Sequence, residues 1–155
     1  MTEAINIIGQ GVTDPHVRIY NDRAYLYASH DYSADSDRFV MREWQVWYSD
    51  DLLNWNLESS LCPQDTYVGK PIDGCWATDA IEKDGTYHWA FSEVDKQADR
   101  HQIGIVAGDS PVGPWHDVLG RPLLADRCVD TQVYDPCFYK EDDGTVYLLF
   151  GVWDY

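Results

Sequence analysis

The sequence contains no run of 18 apolar residues, so no segment of it reads as a membrane-spanning helix. It is poor in positive charge: 11 Lys and Arg stand against 27 Asp and Glu, a net charge of −16. Nucleic acid and anionic membranes both need a basic face, so neither is expected as a partner. The acidity itself reads first as a solubility feature. The opening residues, Met1-Thr2-Glu3-Ala4-Ile5-Asn6, lack the basic and apolar regions of a secretory signal, which predicts a cytoplasmic protein. Cysteine is scarce. Cys62, Cys75, Cys128 and Cys137 form no CxxC, and no His lies at zinc-finger spacing. No metal site is expected, and free, mostly buried thiols are. Helical periodicity is missing too: no window of 12 or more residues keeps a 3.6-residue apolar spacing without Gly, Pro or Asp interrupting it.

What the chain does have is aromatic side chains and turns. It is 14% aromatic, with 7 Trp and 11 Tyr, which argues for a packed aromatic core or a sugar-facing surface. One design occurs three times. Tyr134-Asp135-Pro136 opens an apolar run, an acidic turn ends in Gly144, and a second run follows through Tyr147. Asp14-Pro15-His16 leads likewise through Asn21-Asp22-Arg23 to Tyr25, and Asp79-Ala80 leads through Asp84-Gly85 to Tyr87. Each reads as two antiparallel strands joined by a tight turn, with Asp-Gly supplying the positive φ values.

The central tyrosines, Tyr25, Tyr87 and Tyr147, recur at steps of 62 and 60 residues. Trp55 and Trp115, each ending a turn after a third strand, are 60 apart and are assigned to packing. About four short strands per repeat predict an all-β fold of β-propeller blades, each a four-stranded antiparallel sheet around a central channel. The blades are expected at about 14–70, 79–125 and 130–155, the last one incomplete, all within one domain over 1–155. About two and a half blades of an expected five leave strand edges open. Either the sequence is part of a longer protein, or self-association as a homo-oligomer completes or covers the ring. Residues 31–37 read as a solvated polar loop. Their three Asp lack the glycine and distal Glu of a helix–loop–helix calcium site.

The first strand of each blade lines the channel, so the aspartates that open the repeats are expected around one funnel. Asp14 and Asp135 both precede Pro, and Asp79 opens the middle repeat. Carboxylates so placed shift one another's pKa and can hydrolyse glycosides. Asp-Pro is also a common way to begin a strand, with Asp capping its own turn. His16 should point to the same side as Asp14 on an alternating strand; it either contacts the site or is packed and hydrogen-bonded. Trp76, just before Asp79, is the one Trp expected to meet a sugar. His88, His101 and His116 read as ordinary strand or surface residues.

The combination resembles glycoside hydrolase family 43, the five-bladed propeller arabinofuranosidases, arabinanases and xylosidases. Three segments carry the resemblance: Asp14-Pro15-His16 with Ala24-Tyr25-Leu26-Tyr27; Trp76-Ala77-Thr78-Asp79 with Asp84-Gly85-Thr86-Tyr87; and Tyr134-Asp135-Pro136 with Asp143-Gly144-Thr145-Val146-Tyr147. The separation of 121 residues between Asp14 and Asp135 also fits. Thr78 departs from the family's usual Pro. The resemblance implies inverting hydrolysis of arabinose- or xylose-containing plant saccharides. Asp14 would be the general base, and Asp135 the carboxylate that tunes and orients the acid. Asp79, Trp76 and His16 would lie in or beside the substrate pocket. The family's general acid is a fourth-blade Glu with no counterpart here; Glu82, Glu93 and Glu141 lie in earlier blades. No organic cofactor is implied, and no ligand set is visible for the metal ion that the family sometimes holds in its channel. A carbohydrate-binding propeller without catalysis is the alternative. A related retaining family carries Asn before the opening Asp, where Thr13 stands.

Overall fold

A computed structural model describes residues 11–33 and 38–153. The residues before Gly11 and part of the expected polar loop (34–37) lie outside the described residues. Three antiparallel sheets follow one another along the chain. The first contains β1 (Val12–Tyr20), β2 (Arg23–Asp31), β3 (Met41–Ser49) and β4 (Asn56–Leu61), in that order across the sheet. The second contains β5 (Cys75–Lys83), β6 (Thr86–Asp95), β7 (Arg100–Gly108) and the two-residue β8 (His116–Asp117). The third is the pair β9 (Gln132–Lys140) and β10 (Val146–Trp153). Each sheet is a propeller blade. There is no α-helix among the described residues, and no helix long and apolar enough to cross a membrane.

The hairpins form where turn chemistry allows. Asn21, Asp22 and Asp84 take positive φ, and Gly85 completes the second turn at φ 81°. The blades pack through two aromatic-rich layers. Between the first two lie Tyr27, Trp44, Val46, Trp89, Phe91 and Val106, all fully buried. Trp115 joins this layer, with its ring 5.1 Å from that of Trp89, as its place in the repeat predicted; Trp55 is half-buried. Between the second and third blades lie Ile81, Ala90, Ile103, Val133 and Phe138. Gly104 is required beside the first of these layers. A Cβ at this position would stand 2.3 Å from the Phe91 ring and 2.8 Å from that of Tyr67. The four cysteines are free, but only Cys75 is buried. Cys62 and Cys137 are half-buried and Cys128 is exposed, so the expected mostly buried thiols are corrected.

A single carboxylate ties the three inner strands together. Asp79 on β5 is fully buried. Arg18 on β1 grips it with two nitrogens, Nε at 3.1 Å from Oδ1 and Nη2 on Oδ2. Nη2 also donates to the Phe138 carbonyl on β9 at 3.0 Å, and the Phe138 N–H donates to Asp79 Oδ2 at 2.7 Å. The Ala80 N–H completes the shell at 2.8 Å. Burial pushes the Asp79 pKa up, but the hydrogen bonds from His16, Arg18 and Phe138 outweigh it and hold the carboxyl below its usual range.

Three substitutions test these contacts. Asp79→Ala strands the Arg18 guanidinium at the junction and should cost about 3–5 kcal/mol in denaturant unfolding. In the parent protein the Asp79 contribution is complete above the ordinary aspartate range. It fades as pH falls towards the lowered native pKa, so Asp79→Asn should flatten that part of the acid-unfolding curve. Gly104→Ala forces the Phe91 and Tyr67 rings apart and should lower the unfolding free energy by about 1–3 kcal/mol.

Candidate active site

The inner strand of each blade carries one β-bulge, and the three bulges meet at one depression. On β1, Thr13 pairs with Ser29 and His16 with Tyr27, so Asp14 and Pro15 together oppose Ala28. On β9, Tyr134 pairs with Gly151 and Cys137 with Leu149, so Asp135 and Pro136 oppose Phe150. On β5, Cys75 pairs with Glu93 and Thr78 with Phe91, which leaves Trp76 and Ala77 as the doubled residues. Bulges bend a strand and re-aim its side chains. Asp14 and Asp135 do so in the left-handed region, at φ 49° and 51°, a conformation uncommon for non-glycine residues and more so before proline. Asp14, Asp135, Trp76, Ala77, Thr13, Phe39 and Met41 line a depression of about 200 Å³.

Contacts from neighbouring elements hold the bulges of β9 and β5. The Asp135 N–H donates to Ser92 Oγ at 2.9 Å, and the Trp44 indole donates to the Trp76 carbonyl at 2.7 Å. The Trp76 indole stacks on Tyr134, with centroids 6.1 Å apart at 17°. His101 packs edge-on against both rings, at 5.7 and 4.6 Å. His101, read from the sequence as an ordinary strand or surface residue, lies on β7 and is buried behind the site. Burial lowers its pKa, so the neutral ring is favoured there.

Asp79 and His16 differ from expectation. Asp79 pairs with Ala90, the counterpart of Ala28 and Phe150, but blade two is not bulged at that level. Its carboxylate therefore turns between β1 and β9 and is saturated there, away from the depression. The expected alternation from Asp14 to His16 is broken by the bulge. His16 Nδ1 lies 3.1 Å from Asp79 Oδ1, and His16 is absent from the depression's lining. Thr78, the departure from the family's Pro, is fully buried. It donates to the Ala90 carbonyl at 2.6 Å and accepts from the Trp89 indole. None of the three glutamates weighed from sequence lines the depression. Glu93 is buried against Arg100 at 2.9 Å, Glu82 lies 3.6 Å from Lys140, and Glu141 is exposed in a turn.

The electrostatics separate the three aspartates. Burial raises the Asp14 pKa, against a lowering by the neighbouring His16. Burial also raises Asp135, the Asp14 charge raises it further, and His16 again opposes. Asp14 and Asp135 thus interact as a pair, while Asp79 stays ionised beneath them. His16, Asp79 and Cys137 bring one ligand atom each within 4.8 Å of one another. This set does not suit a hard cation such as calcium, which takes oxygen ligands, and Arg18 already grips the Asp79 carboxylate. Phe39, Met41, Thr13 and Ala77 were not identified from the sequence. Only the adjacency of Thr13 to Asp14 and of Ala77 to Trp76 gave a signal.

The profile of Glycosyl hydrolases family 43 matches residues 5–155. A xylosidase/arabinosidase from Bacteroides ovatus is 29% identical over 153 residues, which is 92% of this chain and 44% of that protein. Xylosidase/arabinosidase 43A from Humicola insolens is 31% identical, over 89% of this chain and 42% of that protein. The chain therefore spans less than half the length of these curated relatives. The crystal structure of the GH43_1 enzyme from Xanthomonas citri complexed with xylose superposes with a TM-score of 0.73 at 26% identity, over 89% of this chain and 39% of that one. With a family profile that covers nearly the whole sequence, and three blades whose bulges converge as described, the chain belongs to glycosyl hydrolase family 43.

Proposed function

We propose that this chain is the N-terminal part of an inverting glycoside hydrolase acting on arabinose- or xylose-containing plant saccharides, with Asp14 as general base and Asp135 as the carboxylate that tunes and orients the acid. The observation that carries this reading is the delivery of Asp14 and Asp135, by matching bulges, into one depression beside the Trp76 ring. Inverting chemistry needs a base to activate water on one face of the sugar and an acid on the other, with the carboxyl groups roughly 6.5–9.5 Å apart. Asp14 is exposed, so water reaches it, and its neighbour His16 counters the rise that burial imposes. Asp135 supplies a second negative charge that would hold a nearby acid protonated. Trp76, backed by Tyr134 and His101, offers an aromatic face for the apolar side of a sugar ring.

No glutamate among the described residues lines the depression. We assign the general acid to the part of the family fold that this chain does not contain. General acid assistance is worth roughly 10²–10⁴-fold, so the chain alone should hydrolyse unactivated glycosides very poorly. A leaving group that departs without a proton removes that requirement. Dinitrophenyl xyloside or arabinofuranoside should be turned over slowly by the parent chain, and Asp14→Asn should reduce that rate by about 10²-fold or more. Measurable hydrolysis of xylobiose by the pure chain, or an Asp14→Asn rate equal to the parent's, would overturn the assignment. Saturable xylose binding, lost in Trp76→Ala, with no turnover of either activated substrate, would favour the non-catalytic carbohydrate-binding reading.

The charge coupling gives a separate measurement. In Asp14→Asn the like charge is gone, so the Asp135 carboxyl, followed by carbon-detected NMR, should titrate at lower pH than in the parent. An unchanged Asp135 titration would mean that the two groups do not share one site.

A further inference from the structure

Two segments meet β3 along one edge. β4 runs beside it until Leu61 pairs with Trp44. The chain then returns, and Gly74 bridges Met41 in parallel, with the Met41 N–H donating to the Asp73 carbonyl at 3.1 Å. β2 occupies the other edge, where Asp31 pairs with Met41, so Leu61 and Gly74 stand on the same side of β3. Met41 and Trp44 are three residues apart, which leaves a gap of about 10 Å along that edge. A cysteine enters the gap from each end. Cys62 continues from Leu61 in an extended conformation, at φ −94° and ψ 142°. Cys75 follows Gly74 and runs towards it. One step from each side brings the two Cα atoms to the separation that disulfides span, about 4.4–6.8 Å. Both backbones are pinned. The Cys62 carbonyl accepts from the Asp65 N–H at 3.0 Å. Cys75 pairs with Glu93, and the Gly74 carbonyl accepts from the Val94 N–H at 2.9 Å. That approach needs glycine, since a Cβ at Gly74 would stand 2.1 Å from the Val94 carbonyl oxygen.

The two thiols differ in access. Cys75 is fully buried and packs with Met41, Trp44 and Leu61 in the layer between blades one and two. Cys62 is half-buried and lines a cleft of about 550 Å³, so a small reagent reaches it first. Burial raises the pKa of both thiols. After burial, the charge of Cys62 does most to raise that of Cys75, as befits near neighbours. The other two thiols stand apart in the chain, Cys128 exposed after β8 and Cys137 on β9.

We propose that Cys62 and Cys75 form a reversible disulfide that straps blade one to blade two. The Cys62 thiolate attacks a low-molecular-weight disulfide and expels one of its sulfurs, which takes up a proton and leaves as a thiol. The Cys75 thiolate then attacks Cys62 Sγ and expels the second thiol in the same way. Two protein thiols are oxidised, and one disulfide is reduced to two thiols. The bond fixes Cys75, the residue before the Trp76–Ala77 bulge, to the end of blade one. The test is to incubate the folded 155-residue chain with oxidised glutathione at about pH 8.5. Digestion without reduction, by a protease that cuts before aspartate, separates the two cysteines at Asp65 and Asp73, so their cross-link joins two peptides by mass. Cys62–Cys75 should be the main cross-link of the folded chain. In urea, where only separation along the chain counts, that preference should disappear, since Cys128 and Cys137 are 9 residues apart against 13 for the pair. The oxidised chain should melt about 5–10 °C above the reduced one, because the cross-link constrains the unfolded chain. Dithiothreitol should reverse the shift. Cys62→Ser, a half-buried position that leaves the core thiol in place, should abolish it. A glutathione adduct on Cys62 that Cys75 does not displace, the same cross-links from folded and unfolded chain, or a cross-link that does not raise the melting temperature would overturn the proposal.

Discussion

The buried carboxylate of Asp79 is the constraint on which the rest depends. An ionised group with no solvent exposure is costly unless every lone pair is used. Here Arg18, His16, Ala80 and Phe138 use them, and they come from all three inner strands. The requirement works both ways. The carboxylate needs the strands close, and the strands cannot separate without exposing an unpaired charge. Close inner strands are what bring three bulges from three different sheets to a single depression. The buried ion pair therefore contributes geometry more than net stability: a hydrophobic replacement could match its energy but would not fix the register of β1 against β5 and β9.

The same repeat unit thus yields carboxyl groups of opposite character. Asp14 and Asp135 sit on bulges, turned out to solvent at positive φ, and their pKa values rise. Asp79 sits at the same level of an unbulged strand, turned inward, and its pKa falls. Environment, set by one extra residue in the ladder, separates the groups assigned to chemistry from the group that holds the frame. That is the pattern by which enzymes give identical side chains different work. The left-handed aspartates store backbone strain, and the Asp135 N–H donating to Ser92 Oγ shows how a neighbouring blade holds it.

Much of this was legible in the sequence, and the part that was not has a definite cause. The tyrosine period marked the hairpins, because turn residues and apolar alternation are local signals. Asp14, Asp135 and Trp76 were legible because each stands next to a motif that opens a strand. The direction in which Asp79 and His16 turn was not legible because a bulge is a property of pairing between strands: nothing in Trp76-Ala77-Thr78-Asp79 says which two residues will oppose one. Phe39 and Met41 were missed because they follow a loop with no periodicity. The burial of His101 was not legible because it comes from Trp76 on β5 of its own sheet and Tyr134 on β9 of the next, both distant in the chain.

Blade two shows what a neighbour on each side does to a sheet. None of its strand residues is a large exposed hydrophobe among the described residues. Blades one and three, each packed on one side only, leave Val17, Ile19 and Leu57, and Tyr139, Tyr147 and Leu149, exposed. In a repeat architecture stability is close to a sum of unit and interface contributions, so the open faces are where such a structure loosens first. The depression lies elsewhere, over the two packed interfaces and directly above the Asp79 junction. Its geometry is therefore set by contacts already complete within these residues. Asp14, Asp135 and Trp76 are fixed relative to one another by those contacts, independently of the open faces.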